Sequence, residues 1–159
     1  MRTFLKYWLP VVLLMTLMAG MSTGLGQVSN SSRIIGPILH WFVPDISPEM
    51  EGRIVFLIRK IAHITEYALL AALVWRALRK PLRADRRPWS AKTACQAVLF
   101  AACFATTDEI HQSFYPSRQG QVSDVVLDTF GASLGITLVW IVWRARYRRR
   151  QILAEVPAR

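Results

Sequence analysis

Apolar residues in this chain gather into four long blocks separated by polar connectors, and each block is long enough for a helix. The first runs from Tyr7 to Ala19 behind Arg2 and Lys6. A cleaved export signal would share that make-up, with Ala19 and Gly20 as its small residues. No strong A-x-A site follows, so the block is read as a retained transmembrane helix with Pro10 as a kink. Ser47 then Pro48, with Glu49 and Glu51 behind them, is a helix start. The pattern continues unbroken to Leu78, about 31 residues or roughly 46 Å, which exceeds a hydrocarbon core of about 30 Å. The first part of that helix therefore stands outside the hydrocarbon. Two further helices follow, one from about Ser90 and one capped by Ser123, with a reversal over Tyr115–Gln121 carried by Pro116 and Gly120. The expected helices are about 4–21, 48–79, 90–112 and 123–146, in one domain over residues 1–159 with a basic tail at 147–159. The connector 22–47 is rich in Gly, Ser and Pro. Its apolar middle, Ile34–Val43 with His40 and Trp41, is expected as a short helix in the membrane interface.

Composition agrees with this division. Hydrophobic residues make up 53 % of the chain against 19 % charged, which in long blocks indicates a membrane protein. Cys95 and Cys103 lie eight positions apart on one helix, about 12 Å of rise and too far for a disulfide. They are read as small apolar residues. The net charge of +10 is distributed unevenly. The N-terminus, the region 76–92 and the segment from Arg144 onward hold 15 of the 20 basic residues and two acids, Asp85 and Glu155; the two alternate connectors and the helix ends beside them hold five basic residues and eight acids. That is +13 on one side and −3 on the other. By the positive-inside rule both termini and the middle loop are cytoplasmic, giving an all-α integral membrane four-helix bundle. The basic tail is a topology signal and a contact for anionic lipid. Without an aromatic-interleaved groove motif it is not a nucleic-acid site.

Ionisable residues next to the apolar blocks are the candidate chemistry, because a charge near hydrocarbon costs at least a few kcal/mol and is kept for a protein interior or a wet cavity. Glu66 lies 13 residues above Arg79, Asp108 lies 16 above Lys92 and Asp128 lies 16 above Arg144. At 1.5 Å per residue these depths are about 20, 24 and 24 Å from the inner boundary, so three helices place a carboxylate in the same outer third. Arg59, His63 and Glu66 fall on one face of their helix, with Lys60 and Tyr67 at its edge. Asp124, Asp128, Gly131 and Gly135 share a face of the last helix, and the glycines form a small-xxx-small seam for close helix approach. Asp108, His111, Gln112 and Tyr115 share a face if the third helix continues outward.

Three blocks together carry a family likeness: K-x-x-H-x-x-E-Y at Lys60–Tyr67, D-E-x-H-Q-x-F-x-P-x-R-x-G at Asp108–Gly120, and S-D-x-x-x-D-T-x-G-A-x-x-G at Ser123–Gly135. In this order the chain resembles the VanZ-like family from about residue 15 to 140, and Met21, Ser22 and the serine-rich 29–32 resemble that family's first connector. The resemblance implies a small bacterial integral membrane protein; the namesake is linked to lowered sensitivity to teicoplanin. Arg118 matches the family position, whereas Asp128 stands where members often carry Asn. Three readings follow. In the first, an outward polar pocket binds a lipid-linked cell-wall precursor or a glycopeptide-type ligand. Arg59, Lys60 and Arg118 then meet phosphate or carboxylate, and Tyr67, Phe114 and Tyr115 line the apolar side, beside His63, Glu66, Asp108, Glu109, Gln112, Asp124 and Asp128. In the second, His63, Glu66, Asp108, Glu109, His111, Asp124 and Asp128 serve as metal ligands or general acids and bases of a membrane hydrolase. A divalent metal is not favoured there, because H-x-x-E and D-E-x-H are weak motifs. In the third, the same residues are a structural plug in which Lys60 or Arg59 pairs with Glu66, and Arg118 with Asp124.

Overall fold

Helix-forming blocks bounded by Ser caps, Pro and Gly give a chain whose described elements are all helices. A computed structural model describes residues 2–22, 28–80, 88–114 and 120–155. These form α1 (Arg2–Ser22), α2 (Val28–Phe42), α3 (Pro48–Arg79), α4 (Ala91–Ser113) and α5 (Val122–Glu155), with no strand among the described residues.

Local chemistry sets the boundaries. Ser47 is extended (φ −70°, ψ 146°) and its side chain accepts the Met50 N–H at 3.3 Å, while Pro48 takes the first helical position, where no N–H is needed. Lys80 ends α3 in the left-handed region (φ 47°), donating its N–H to Arg76 O at 2.9 Å. Ser90 caps α4 by accepting the Thr93 N–H at 3.2 Å. The last helix runs past residue 146 and takes in most of the basic segment expected as a tail. No Gly or Pro interrupts it between Ile136 and Glu155, and Arg, Ala, Gln and Leu are strong helix formers. The first connector holds a 15-residue helix, α2, longer than the expected 34–43. Its exposed Ile34, Ile38, Trp41 and Phe42 form one apolar face, and on the opposite side Gly36 meets α3, where a Cβ would come 2.6 Å from Glu51 Oε1.

The central element is α3, which packs against each of the other four helices. Parallel to it runs α5, in a steady register. Lys60 meets Asp124, Ile64 meets Gly131 and Ala68 meets Gly135. At Gly131 an added Cβ would lie 2.6 Å from Ile64 O, and at Gly135 it would overlap Ala68 O, so the two backbones touch. Against both, antiparallel, packs α4, whose buried stripe is Ala94, Ala97, Ala101 and Ala105, then Asp108 and Gln112. The 3–4 spacing is one helix face: four alanines admit α3 and α5 closely, and the polar pair ends the stripe. Against α3, α1 buries Tyr7, Val11 and Met18, with the Arg76 guanidinium 5.1 Å from the Tyr7 ring. We call the end holding residues 22, 113 and 122 upper and the end holding 2, 79, 91 and 155 lower. The first ten or so residues of α3 rise above the start of α5, and α2 packs there through His40 Nε2, 3.4 Å from Glu51 Oε2.

Candidate functional site

Polar side chains from four helices meet below the upper end. Asp108 is buried on α4 and its Oδ2 accepts two hydrogen bonds, from Ser22 Oγ at the end of α1 and from Gln112 Nε2 one turn on, each at 2.9 Å. Asp128 on α5 is fully buried, at 0 % exposure. His63 Nδ1 on α3 lies 3.6 Å from Asp128 Oδ1, close enough for electrostatic attraction and too long for a hydrogen bond. Accordingly neither Asp128 oxygen has a hydrogen-bond partner among the described residues, and neither does the buried Tyr67 hydroxyl. Glu66 is half-buried, and the charges of His63, Asp128 and Asp108 all act on it. Tyr67, against the Phe104 ring at 6.2 Å, feels Asp108, Asp128, Glu109 and Glu66. Asp108 and Asp128 are thus buried on α4 and α5, with Glu66 half-buried on α3.

A second layer sits about one turn higher. Lys60 Nζ donates to Asp124 Oδ1 across the α3–α5 contact, both about one-quarter exposed. Glu109 is buried and its Oε2 accepts the Gln121 N–H at 2.9 Å, which ties the end of α4 to the start of α5. Gly120 fits there because a Cβ would overlap Glu109 O. Glu109 therefore closes the turn. The Lys60 pairing differs from the expected one with Glu66: the parallel register of α3 and α5 carries Lys60 to Asp124, whereas Glu66 lies nearly two turns below it.

Not every candidate joins the cluster. Asp108 and Gln112 are buried, but His111 and Phe114 are exposed on α4, so the face shared by spacing is split by packing. Arg59 is half-buried on α3. Tyr115 and Arg118 lie outside the described residues. Two participants were absent from the expected set: Ser22 and the Gln121 backbone N–H. Among the described residues no three of the His, Cys, Asp and Glu side chains are grouped to hold a metal ion.

Chemically the cluster is rich in acceptors. Asp108 Oδ2 accepts from Ser22 and Gln112, and Lys60 donates to Asp124, while among the described residues nothing donates to either buried oxygen of Asp128. A buried acceptor left unmade costs roughly 1–3 kcal/mol, so this position gains from any hydrogen-bond donor that reaches it.

Among the described residues, α1 over Phe4–Ser22 and α5 over Val122–Ile152 are long and apolar enough to cross a membrane. The VanZ/LLP1 family profile matches residues 6–143, most of the chain. No curated protein and no solved structure matches it.

Proposed function

The chain belongs to the VanZ-like family, and on that premise we propose that it is a single-domain, four-helix protein of the bacterial cytoplasmic membrane. Both termini are cytoplasmic, α2 lies in the outer interface, and the buried polar cluster binds the polar part of a lipid-linked or glycopeptide-type envelope ligand. Charge supports the orientation: the lower end carries the Arg and Lys excess, and the upper end carries eight of the ten acids. Two apolar helices of spanning length and the family are compatible with the membrane location. Helix α3 carries His63, and α4 carries Asp108 and Glu109, toward the interior, as charged groups at membrane depth require.

The observation that carries the binding reading is Asp128, fully buried with neither carboxylate oxygen hydrogen-bonded among the described residues. Those oxygens call for hydroxyl or amine donors, which the sugar and peptide parts of such ligands present. In this reading Arg59, Lys60 and Arg118 supply the cations for a ligand phosphate or carboxylate, Lys60 from its pairing with Asp124. The test is calorimetric titration of the purified protein in nanodiscs with a lipid-linked disaccharide-peptide precursor. Wild type should bind saturably, and Asp128→Asn at least tenfold more weakly, with its unfolding midpoint within a few degrees. Unchanged affinity in the variant would remove Asp128 from the site.

A second reading rests on Ser22 donating to Asp108, a bond that fastens α1 to α4 with no ligand involved. It makes the cluster a polar fastening of the bundle. Under it, Asp108→Asn lowers stability and the precursor does not bind.

A further inference from the structure

Helices α3 and α5 line an open groove of about 760 Å³ whose lining includes none of the residues of the polar cluster. It starts at the Ala68–Gly135 contact, where the two backbones touch, and extends along α5 to Arg150. Its walls are apolar: Leu69 and Ala72 from α3, Leu138 and Val142 from α5. Toward the lower end the lining becomes aromatic and then basic. Trp75 and Trp143 come first, with Trp143 stacked on Tyr147 at 5.0 Å, and Arg146 and Arg150 follow one turn apart. An apolar trough with an aromatic collar and a pair of guanidinium groups at one end has the polarity of one leaflet of a bilayer.

Length agrees with that. From Gly135 to Arg150 is fifteen residues, about 22 Å of helix, while half a bilayer with its headgroup layer is about 20–22 Å. Aromatic side chains prefer the boundary between hydrocarbon and headgroup, which is where Trp143 and Tyr147 divide the groove. Guanidinium forks match phosphate geometry. We propose that this groove is a binding site for one anionic phospholipid of the inner leaflet, its acyl chain along Ala72, Leu138 and Val142 and its phosphate on Arg146 and Arg150. Charge argues against a second copy of this chain as the occupant. A symmetric pairing along this face would set Arg146 and Arg150 against the same residues of the other copy, within an α5 end that also carries Arg144, Arg148 and Arg149. The inference depends on the bilayer orientation proposed above and not on any ligand of the polar cluster.

Native mass spectrometry of the full chain, with phosphatidylglycerol and phosphatidylcholine of identical acyl chains as probes, tests it. One phosphatidylglycerol per chain should be retained in preference to phosphatidylcholine. The pair Arg146→Gln/Arg150→Gln should weaken retention about thirtyfold, the scale of two basic side chains at an anionic surface. Ala72→Phe, which fills the trough and keeps every charge, should also abolish the bound lipid. The pair Arg148→Gln/Arg149→Gln removes equal charge outside the groove lining and should retain it, as should Asp128→Asn. Equal losses from both arginine pairs, equal retention of the two lipids, or a dimer that excludes lipid would each overturn the proposal. Lipid retained by Asp128→Asn when precursor binding is absent would separate this site from the polar one.

Discussion

Asp108 is held from two helices at once, and that arrangement sets what single substitutions do. Its Oδ2 accepts from Ser22 of α1 and from Gln112 of its own helix. Removing the Ser22 hydroxyl deletes a buried interhelical bond worth roughly 0.5–1.5 kcal/mol. Ser22→Ala should therefore lower the unfolding midpoint by about 1–6 °C in a chain of this size. Ser133→Ala is the comparison, because that exposed hydroxyl bonds only to Thr129 O of its own helix at 2.9 Å and should shift the midpoint much less. Thermal unfolding in detergent measures both; equal shifts would mean that the α1–α4 bond does not fasten the bundle. Much of this level was legible by counting. Ser22 lies 16 residues above Lys6, as Asp108 does above Lys92 and Asp128 above Arg144. The signal for Ser22 was present, but a lone serine ending an apolar run costs little near hydrocarbon, unlike a carboxylate, and so carries less weight by itself. Partner choice was not legible. Helical phase says which residues share a face, and only the lateral register of α3 on α5 says that Lys60 reaches Asp124.

Between elements, the α3–α5 contact is the tightest seam. Gly135 lies against Ala68 backbone, which cannot swing aside as a flexible side chain would, so a methyl there must push the helices apart. Gly135→Ala should destabilise by about 1–3 kcal/mol, the usual cost of overpacking. Gly52 in α3 has nothing within 4 Å of an added Cβ, so Gly52→Ala should stabilise by roughly 0.5–1 kcal/mol through helix propensity alone. Denaturant or thermal unfolding of the two variants side by side checks this, and a neutral Gly135→Ala would mean that the backbones do not touch. The small-xxx-small spacing of Gly131 and Gly135 was visible in the sequence, as was the start of α3 at Ser47–Pro48. The lower end of α5 was not. A run of arginines reads as a solvated tail by charge, yet each is a good helix former and no Gly or Pro stands between Ile136 and Glu155. For α2, serines at 29, 31 and 32, with Gly36 and Pro37, dilute the pattern, and packing of Gly36 on Glu51 compensates in the fold.

For the whole molecule, the claim is an asymmetric bundle: acidic and polar within its upper part, basic at its lower end. If the upper end faces outward, Asp45 in the turn before α3 and Arg148 near the end of α5 lie on opposite sides of the membrane. With Cys95 and Cys103, both exposed, replaced by Ser, a cysteine introduced by Asp45→Cys should react with a membrane-impermeant maleimide in intact spheroplasts. The change Arg148→Cys should give labelling only after permeabilisation. The reverse pattern would invert the orientation. The groove between α3 and α5 is a property of this scale and had no counterpart in the sequence reading, because its walls come from two helices whose separation no periodicity encodes.

The central claim is that side chains from separate helices act as one ligand-binding unit, and a double-mutant cycle on precursor affinity tests it most directly. His63→Gln, Asp128→Asn and the double variant are titrated with the lipid-linked precursor in nanodiscs. Because His63 Nδ1 lies 3.6 Å from Asp128 Oδ1, the losses should be non-additive by at least threefold, within the roughly 0.5–3 kcal/mol measured for residues in contact. Losses that simply add, or no saturable binding by the wild-type chain, would contradict the account.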